Sequence, residues 1–253
     1  MAEHKILFLG DSHSHCIRDA LAQGLADTQG CTVSVDRIQS VKNGKVIGDR
    51  SLNEIIEACK DLTPDDLLVS VIGGNQHSVT GLVQHDVPFD ILEPDEPAPT
   101  DASGVTYVPR SSVFATFERG LRSNDCQRIL QLAKAGPQQT VHMAAPPPKE
   151  DDAHIMKRFE TKFIEMGLAE RGLSPKPLRR KLWRIQNDAL RKILSEDDIE
   201  LLMPPAETVT ESGFLEPAFY ANDATHANPA YGALLIEQAV AWIKARQSAA
   251  NPA

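Results

Sequence analysis

The chain has 253 residues, of which 42% are hydrophobic and 24% charged, a length and balance suited to one α/β domain with a sizeable core. A formal net charge of −9 and a pI near 5.4 argue against nucleic acid or an anionic membrane surface as the main partner, and favour small-molecule or neutral partners. No run approaches the roughly twenty apolar residues of a membrane span, and Met1-Ala2-Glu3-His4 lacks the basic flank and apolar core of a signal segment, so the chain reads as cytoplasmic.

The first predicted element is a buried strand over Lys5–Leu9, which stops at Gly10-Asp11-Ser12-His13. Helical spacing follows from about Ser14 to Asp27, so Ser12 falls on a strand-to-helix turn beside unpaired backbone N–H groups. Taken alone, Ser12 reads as a helix cap. A second strand is predicted over Thr32–Ile38. Gly44 and Gly48 precede a helix from Ser51 to Asp61, which opens on Ser51 with Glu54 three residues later, the pattern of a capping box. Two readings stand for Gly48: a tight-loop glycine, or a backbone N–H pointing into a crevice.

A third strand over Leu67–Ile72 runs into Gly73-Gly74-Asn75-Gln76-His77, whose paired glycines let backbone approach a ligand. Asn75 serves there as a turn residue or as a neutral amide donor to an oxyanion. From Val79 to Ser112 helix and strand patterns lapse across Pro88, Pro94, Pro97, Pro99 and Pro109 and the acidic Glu93, Asp95 and Glu96; the stretch is either a cover for a crevice or a surface excursion. Val113–Lys134 is predicted as one helix, Thr140–Ala144 as a strand closed by Pro146-Pro147-Pro148, and Asp151–Gly167 and Pro177–Leu194 as helices. The last of these, with Lys176, Arg179, Arg180, Lys181, Arg184, Arg191 and Lys192 in and just before it, reads as a solvated basic face. A strand over Ile199–Met203 and a helix over Asn228–Arg246 complete the chain, the helix burying Leu234, Leu235, Ala239 and Trp242 or Ile243. Strands alternating with helices imply a parallel sheet covered on both faces, with ligands beyond the carboxyl ends of its strands.

Just before that final helix stands Asp223-Ala224-Thr225-His226. On one helical turn the two side chains project to the same side, and Asp223 then holds one imidazole nitrogen while the other faces a nucleophile. The pairing with the Ser12 turn shifts the balance toward a serine hydrolase. Cys16, Cys31, Cys59 and Cys126 lack metal or redox spacing and read as reduced, mostly buried thiols.

Taken together, Gly10-Asp11-Ser12, Gly48, Gly73-Gly74-Asn75 and Asp223-x-x-His226 resemble, in order and spacing, the four blocks of the SGNH or GDSL hydrolase superfamily. The resemblance implies a flavodoxin-like, three-layer α/β/α domain over residues 1–253 with a mainly parallel five-stranded sheet. It implies hydrolysis of an acyl ester, O-acetyl esters included, of a small molecule, carbohydrate or lipid, with no metal or organic cofactor. Ser12 would be the nucleophile, His226 the general base and then acid, and Asp223 its orienting carboxylate; Ser12 N–H, Gly48 N–H and the Asn75 amide would form the oxyanion hole. His13 stands where the family has an apolar residue, and Gln76 where it commonly has Asp.

Three alternatives accompany this reading. Asp11, His13, His15, His77 and His85 supply metal-type ligands for a metal-dependent hydrolase. The fold also serves as a non-catalytic binding module, and the same acyl chemistry serves transfer to a sugar instead of to water.

Overall fold

The computed structural model describes residues 4–42, 44–94 and 104–250, apart from the side chains of 247, 249 and 250. Its strands in chain order are β1 (Lys5–Gly10), β2 (Thr32–Arg37), β3 (Ser40–Lys42), β4 (Lys45–Ile47), β5 (Leu67–Val71), β6 (Phe89–Leu92), β7 (Thr106–Pro109), β8 (Gln139–Met143) and β9 (Glu200–Leu202). The helices are α1 (Ser14–Ala22), α2 (Leu52–Cys59), α3 (Gln76–Gly81), α4 (Arg110–Ser123), α5 (Asp125–Ala133), α6 (Asp152–Lys157), α7 (Thr161–Glu165), α8 (Leu168–Arg171), α9 (Lys176–Ser195) and α10 (Pro229–Ala250).

Five strands form one parallel sheet in the order β2-β1-β5-β8-β9. Counting only its own strands the order is 2-1-3-4-5, the flavodoxin-like winding, in which a crevice opens at the carboxyl ends where the winding reverses. All five predicted strands are therefore present. Period-2 alternation sorts their side chains between two cores. Ile6 and Phe8 of β1 and Leu67 and Val69 of β5 pack with Ile17 of α1 and Ile236, Ala239 and Val240 of α10. Leu7 and Leu9, with Leu68, pack on the opposite face with Ile55, Ile129, Leu182 and Ile193, from α2, α5 and α9. The result is three layers. Each fully buried Leu, Ile or Phe contributes about 1.5–3 kcal/mol.

The capping box holds: Ser51 Oγ accepts from Glu54 N–H at 3.3 Å and the Glu54 carboxylate accepts from Ser51 N–H at 2.7 Å. The predicted 113–134 helix is instead two, α4 and α5, broken at Asn124 (φ −144°), where Ser123 Oγ donates to Gly120 O at 2.8 Å and the Asp125 carboxylate turns to Arg128. The predicted 151–167 helix is likewise split: Asp151 caps α6, Arg158 and Glu160 are extended, and Gly167 takes a left-handed φ of 77° between α7 and α8. The 79–112 stretch contains the end of α3 and the parallel β6–β7 ladder, with Ile91 fully buried and its carbonyl accepting from Lys181 Nζ at 2.9 Å. Asp95, Glu96, Pro97 and Pro99 lie outside the described residues. The basic face of α9 is also less solvated than expected, for Arg179 is buried on Asp152, and Arg191 and Lys192 pair with Asp188 and Glu118. Among the described residues no helix is long and apolar enough to cross a membrane.

Helices α1 and α10 touch backbone to backbone. A Cβ placed on Gly232 would lie 2.1 Å from Cys16 O and 2.4 Å from Cys16 C, positions that cannot yield without moving a helix. Gly232→Ala is accordingly expected to lower stability by about 1–3 kcal/mol. Denaturant midpoints compare the two proteins, and equal midpoints would refute the close approach.

Candidate active site

The turn between β1 and α1 is fixed by charge. Asp11 accepts from Arg128 Nη1 at 3.1 Å and Nη2 at 3.0 Å, and from Gly73 N–H at 3.0 Å, tying the end of β1 to α5 and to the loop after β5. Arg128 Nη2 also reaches Asp125 Oδ1 at 3.1 Å. A Cβ on Gly73 would meet the Asp125 carboxylate at 2.1 Å, so only glycine lets this loop close over the cluster. Burial alone would raise the Asp11 pKa; the Arg128 guanidinium and the Gly73 N–H outweigh it and hold the carboxyl below its ordinary value. Asp125, also buried, is shifted upward by that burial despite Arg128.

Ser12 therefore stands half-buried on a braced turn. Its hydroxyl does not cap α1: the N-cap position is His13, which makes no side-chain capping bond. Ser12 Oγ instead lies 2.8 Å from His226 Nε2, across 214 residues of sequence. His226 Nδ1 in turn lies 2.8 Å from Asp223 Oδ2. The three side chains form one hydrogen-bonded line.

Asp223 and His226 sit on a bend rather than a helical turn. The reason is local: Asp223 Oδ1 accepts the backbone N–H of His226 at 2.9 Å and of Thr225 at 3.2 Å, closing an Asx-type turn in place of a helix ladder. Asn228 Oδ1 then accepts from Tyr231 N–H at 3.2 Å, at the start of α10. Burial would raise the Asp223 pKa, but bonds to His226 and the nearby Lys149 charge leave it far below the carboxylate range.

Two further residues support this bend. Lys149 is buried, and its Nζ donates to Ala221 O at 2.7 Å and Asp223 O at 2.5 Å, with Asp223 Oδ1 at 3.7 Å and the Tyr220 ring centroid at 5.1 Å. Burial pushes its pKa down to about 8 against the pull of Asp223 and Glu160. Glu160 Oε1 lies 3.4 Å from His226 Nδ1 and accepts from Thr225 Oγ1, so a second carboxylate flanks the imidazole. Neither was legible as a site residue. Lys149 shows in the sequence only as a lone lysine after the proline run, and Glu160 lies inside a stretch, 151–167, that reads as one continuous helix.

Asn75 precedes α3 without a side-chain capping bond, is exposed, and lines the same crevice of about 410 Å³ as Ser12 and His226. Gly48 does not line it. Its φ is 113°, and a Cβ there would lie 2.7 Å from both Gln39 Cα and Ile38 O, which accounts for the glycine by close backbone packing. From the 79–112 stretch, Val79 alone among the described residues lines the crevice. Gln76 turns away, toward Gly120.

The histidines considered as metal ligands do not converge. The His13 ring lies 5.3 Å from the His226 ring at a 55° tilt, its pKa lowered to about 3 by burial and by His226 and His77. His15 is exposed and meets Arg37 Nη1 at 2.8 Å, His77 is buried against Ser78 Oγ at 3.0 Å, and His85 meets Thr80 O at 2.7 Å. Among the described residues the group with metal-like spacing is Glu160, Asp223 and His226, whose Asp223 and Glu160 oxygens already serve the bend. All four cysteines are buried, and Cys16, its thiol pushed up to about 12 by burial, donates to His13 O.

No family model and no curated protein matches the sequence. Solved structures similar to this chain include the periplasmic domain of a Salmonella Paratyphi A lipopolysaccharide acetyltransferase, with 14% identity over 96% of this chain and 84% of that one, TM-score 0.49. A Streptomyces rimosus extracellular lipase shows 12% identity over 94% and 99%, TM-score 0.48. A GDSL-like lipase from Bacteroides thetaiotaomicron shows 15% identity over 94% and 88%, TM-score 0.42.

The acid pairs give a pH dependence. Asp11 and Asp223 both have folded pKa values below the ordinary 3.8, so their stabilisation is complete above about pH 5 and drains as pH falls through 3.8 toward the folded values. Denaturant midpoints measured from pH 6 to pH 3 are expected to fall, and to fall less steeply in Asp11→Asn; equal slopes would contradict the Asp11–Arg128 assignment.

Proposed function

We propose that this protein is a serine esterase of the SGNH or GDSL type, acting on an acyl ester of a small molecule, carbohydrate or lipid. The observation that carries the proposal is the line from Ser12 Oγ to His226 Nε2 to Asp223, with both links at 2.8 Å. In this reading His226 takes the Ser12 proton as the hydroxyl attacks the ester carbonyl, then passes it to the leaving alcohol. Asp223, accepting from Nδ1–H, keeps Nε2 free as the base and stabilises the imidazolium that forms. Water, activated by the same imidazole, releases the acyl group.

The tetrahedral intermediate needs donors where its oxyanion develops. Ser12 N–H, close to the start of α1, and the uncommitted Asn75 amide at the crevice wall fill that role. Gly48, packed against Ile38 and Gln39, is not assigned to it. Lys149 and Glu160 act as positioning residues: the first ties down the backbone that carries Asp223, the second lies 3.4 Å from His226 Nδ1 and accepts from Thr225.

Ser12→Ala is expected to abolish turnover of a short-chain p-nitrophenyl ester in a folded protein, and wild-type turnover in that variant would remove Ser12 from the mechanism. Asp223→Asn should lower kcat on the order of 10³- to 10⁴-fold. For Asn75→Ala the expected loss is about 10²- to 10³-fold in kcat, and a change confined to KM would assign Asn75 to substrate binding instead.

A further inference from the structure

Two crevices meet at the Ser12–His226 pair, and their charges differ. One is lined by Asp19, Tyr220, Asn222 and Asp223 and by no lysine or arginine. The other, on the Asn75 side, is lined by Arg37, Lys42 and Lys162, and beyond Asn75, Val79 and Lys162 it continues into a groove lined by Arg119.

The acids on this second side are already neutralised or committed. Asp11 and Asp125 share Arg128, and Glu160 faces His226 Nδ1 and Thr225. Asp49, which accepts the Arg37 backbone N–H at 2.7 Å, pairs through its carboxylate with Arg18. The cations, by contrast, lack a paired carboxylate, although the Arg37 charge is felt by Asp49. Among the described residues none of Arg37, Lys42, Lys162 and Arg119 forms an ion pair with a carboxylate, and the side-chain partner of Arg37 is the ring of His15. In a chain with 26 Lys and Arg against 35 Asp and Glu, cations elsewhere commonly find acids, as Arg122 does with Glu118 and Glu196.

We propose that this cationic side is a subsite for an anionic group, a carboxylate or a phosphate, borne by the ester substrate. The inference rests on the esterase reading and narrows its substrate class. An anion here replaces the missing carboxylate partners, and a cleft of one sign concentrates the oppositely charged ester at Ser12. The anion sits on the acyl side or the alcohol side of the scissile bond, and matched esters separate the two.

The test compares kcat/KM for mono-p-nitrophenyl adipate with p-nitrophenyl hexanoate, and for 4-acetoxybenzoate with its methyl ester. The expected result is that in one pair the anionic ester is favoured by about tenfold at about 20 mM salt, and that raising salt to about 0.5 M erodes the preference. Lys42→Glu with Lys162→Glu, both exposed positions, should bring that ratio to one or below, with the circular dichroism spectrum retained. A ratio of one or less in both pairs, with Ser12-dependent turnover of the neutral esters intact, overturns the subsite and leaves the esterase reading standing. A ratio that the double variant does not move overturns it equally. Turnover of none of the four esters ends both proposals.

Discussion

Helices α1 and α10 approach so closely at Gly232 and Cys16 that their backbones touch, and the rest of the site depends on that contact. Ser12 lies two residues before α1, and His226 lies three before α10. Bringing the helix bodies together therefore brings their amino-terminal ends together, which is how side chains 214 residues apart come to share a hydrogen bond. The sheet makes the contact possible, because Ile6, Phe8, Leu67 and Val69 give both helices one apolar face to lie on. A side chain at position 232 would wedge the pair apart at Cys16, four residues beyond Ser12.

Charge does the finer placement. Arg128 holds Asp11 from the α5 side and so fixes the turn before α1, while Lys149 holds the carbonyls of Ala221 and Asp223 and so fixes the bend before α10. One buried or half-buried cation stands under each half of the site. Both are satisfied by several acceptors, which offsets the cost of taking a charge out of water. Because Arg128 and Lys149 face the acids around Ser12, and Glu160 is bound to Thr225 and His226, the cations left facing the Asn75-side crevice outnumber its free acids, although the chain as a whole is negative.

Much of this was legible in the residue order. The five buried strands, the Ser51 capping box, the Ser12 turn and the Asp223–His226 pair all depend on local patterns, apolar alternation or side chains a few residues apart. What was not legible depends on partners far along the chain. Arg128 looks like any helical arginine three residues from an aspartate until Asp11 arrives from 117 positions away. Lys149 and Glu160 have no local motif, and the breaks at Asn124 and Arg158 that help place Asp125 and Glu160 interrupt patterns that read as continuous helix. The short β3–β4 hairpin and the β6–β7 ladder were missed because three- and four-residue strands carry too little alternation to register. The family resemblance implies a site role for Gly48, one of two readings the sequence leaves open, whereas its contacts with Ile38 and Gln39 give it a packing role.

The central claim is that Ser12 is an activated nucleophile, and the most direct measurement is covalent labelling of the purified protein by a fluorophosphonate, with the adduct mapped by mass spectrometry. The account predicts one adduct, on Ser12, formed by the wild type and absent from His226→Ala at matched probe concentration. An unlabelled Ser12 in folded wild-type protein, or labelling that survives the loss of His226 undiminished, would contradict it.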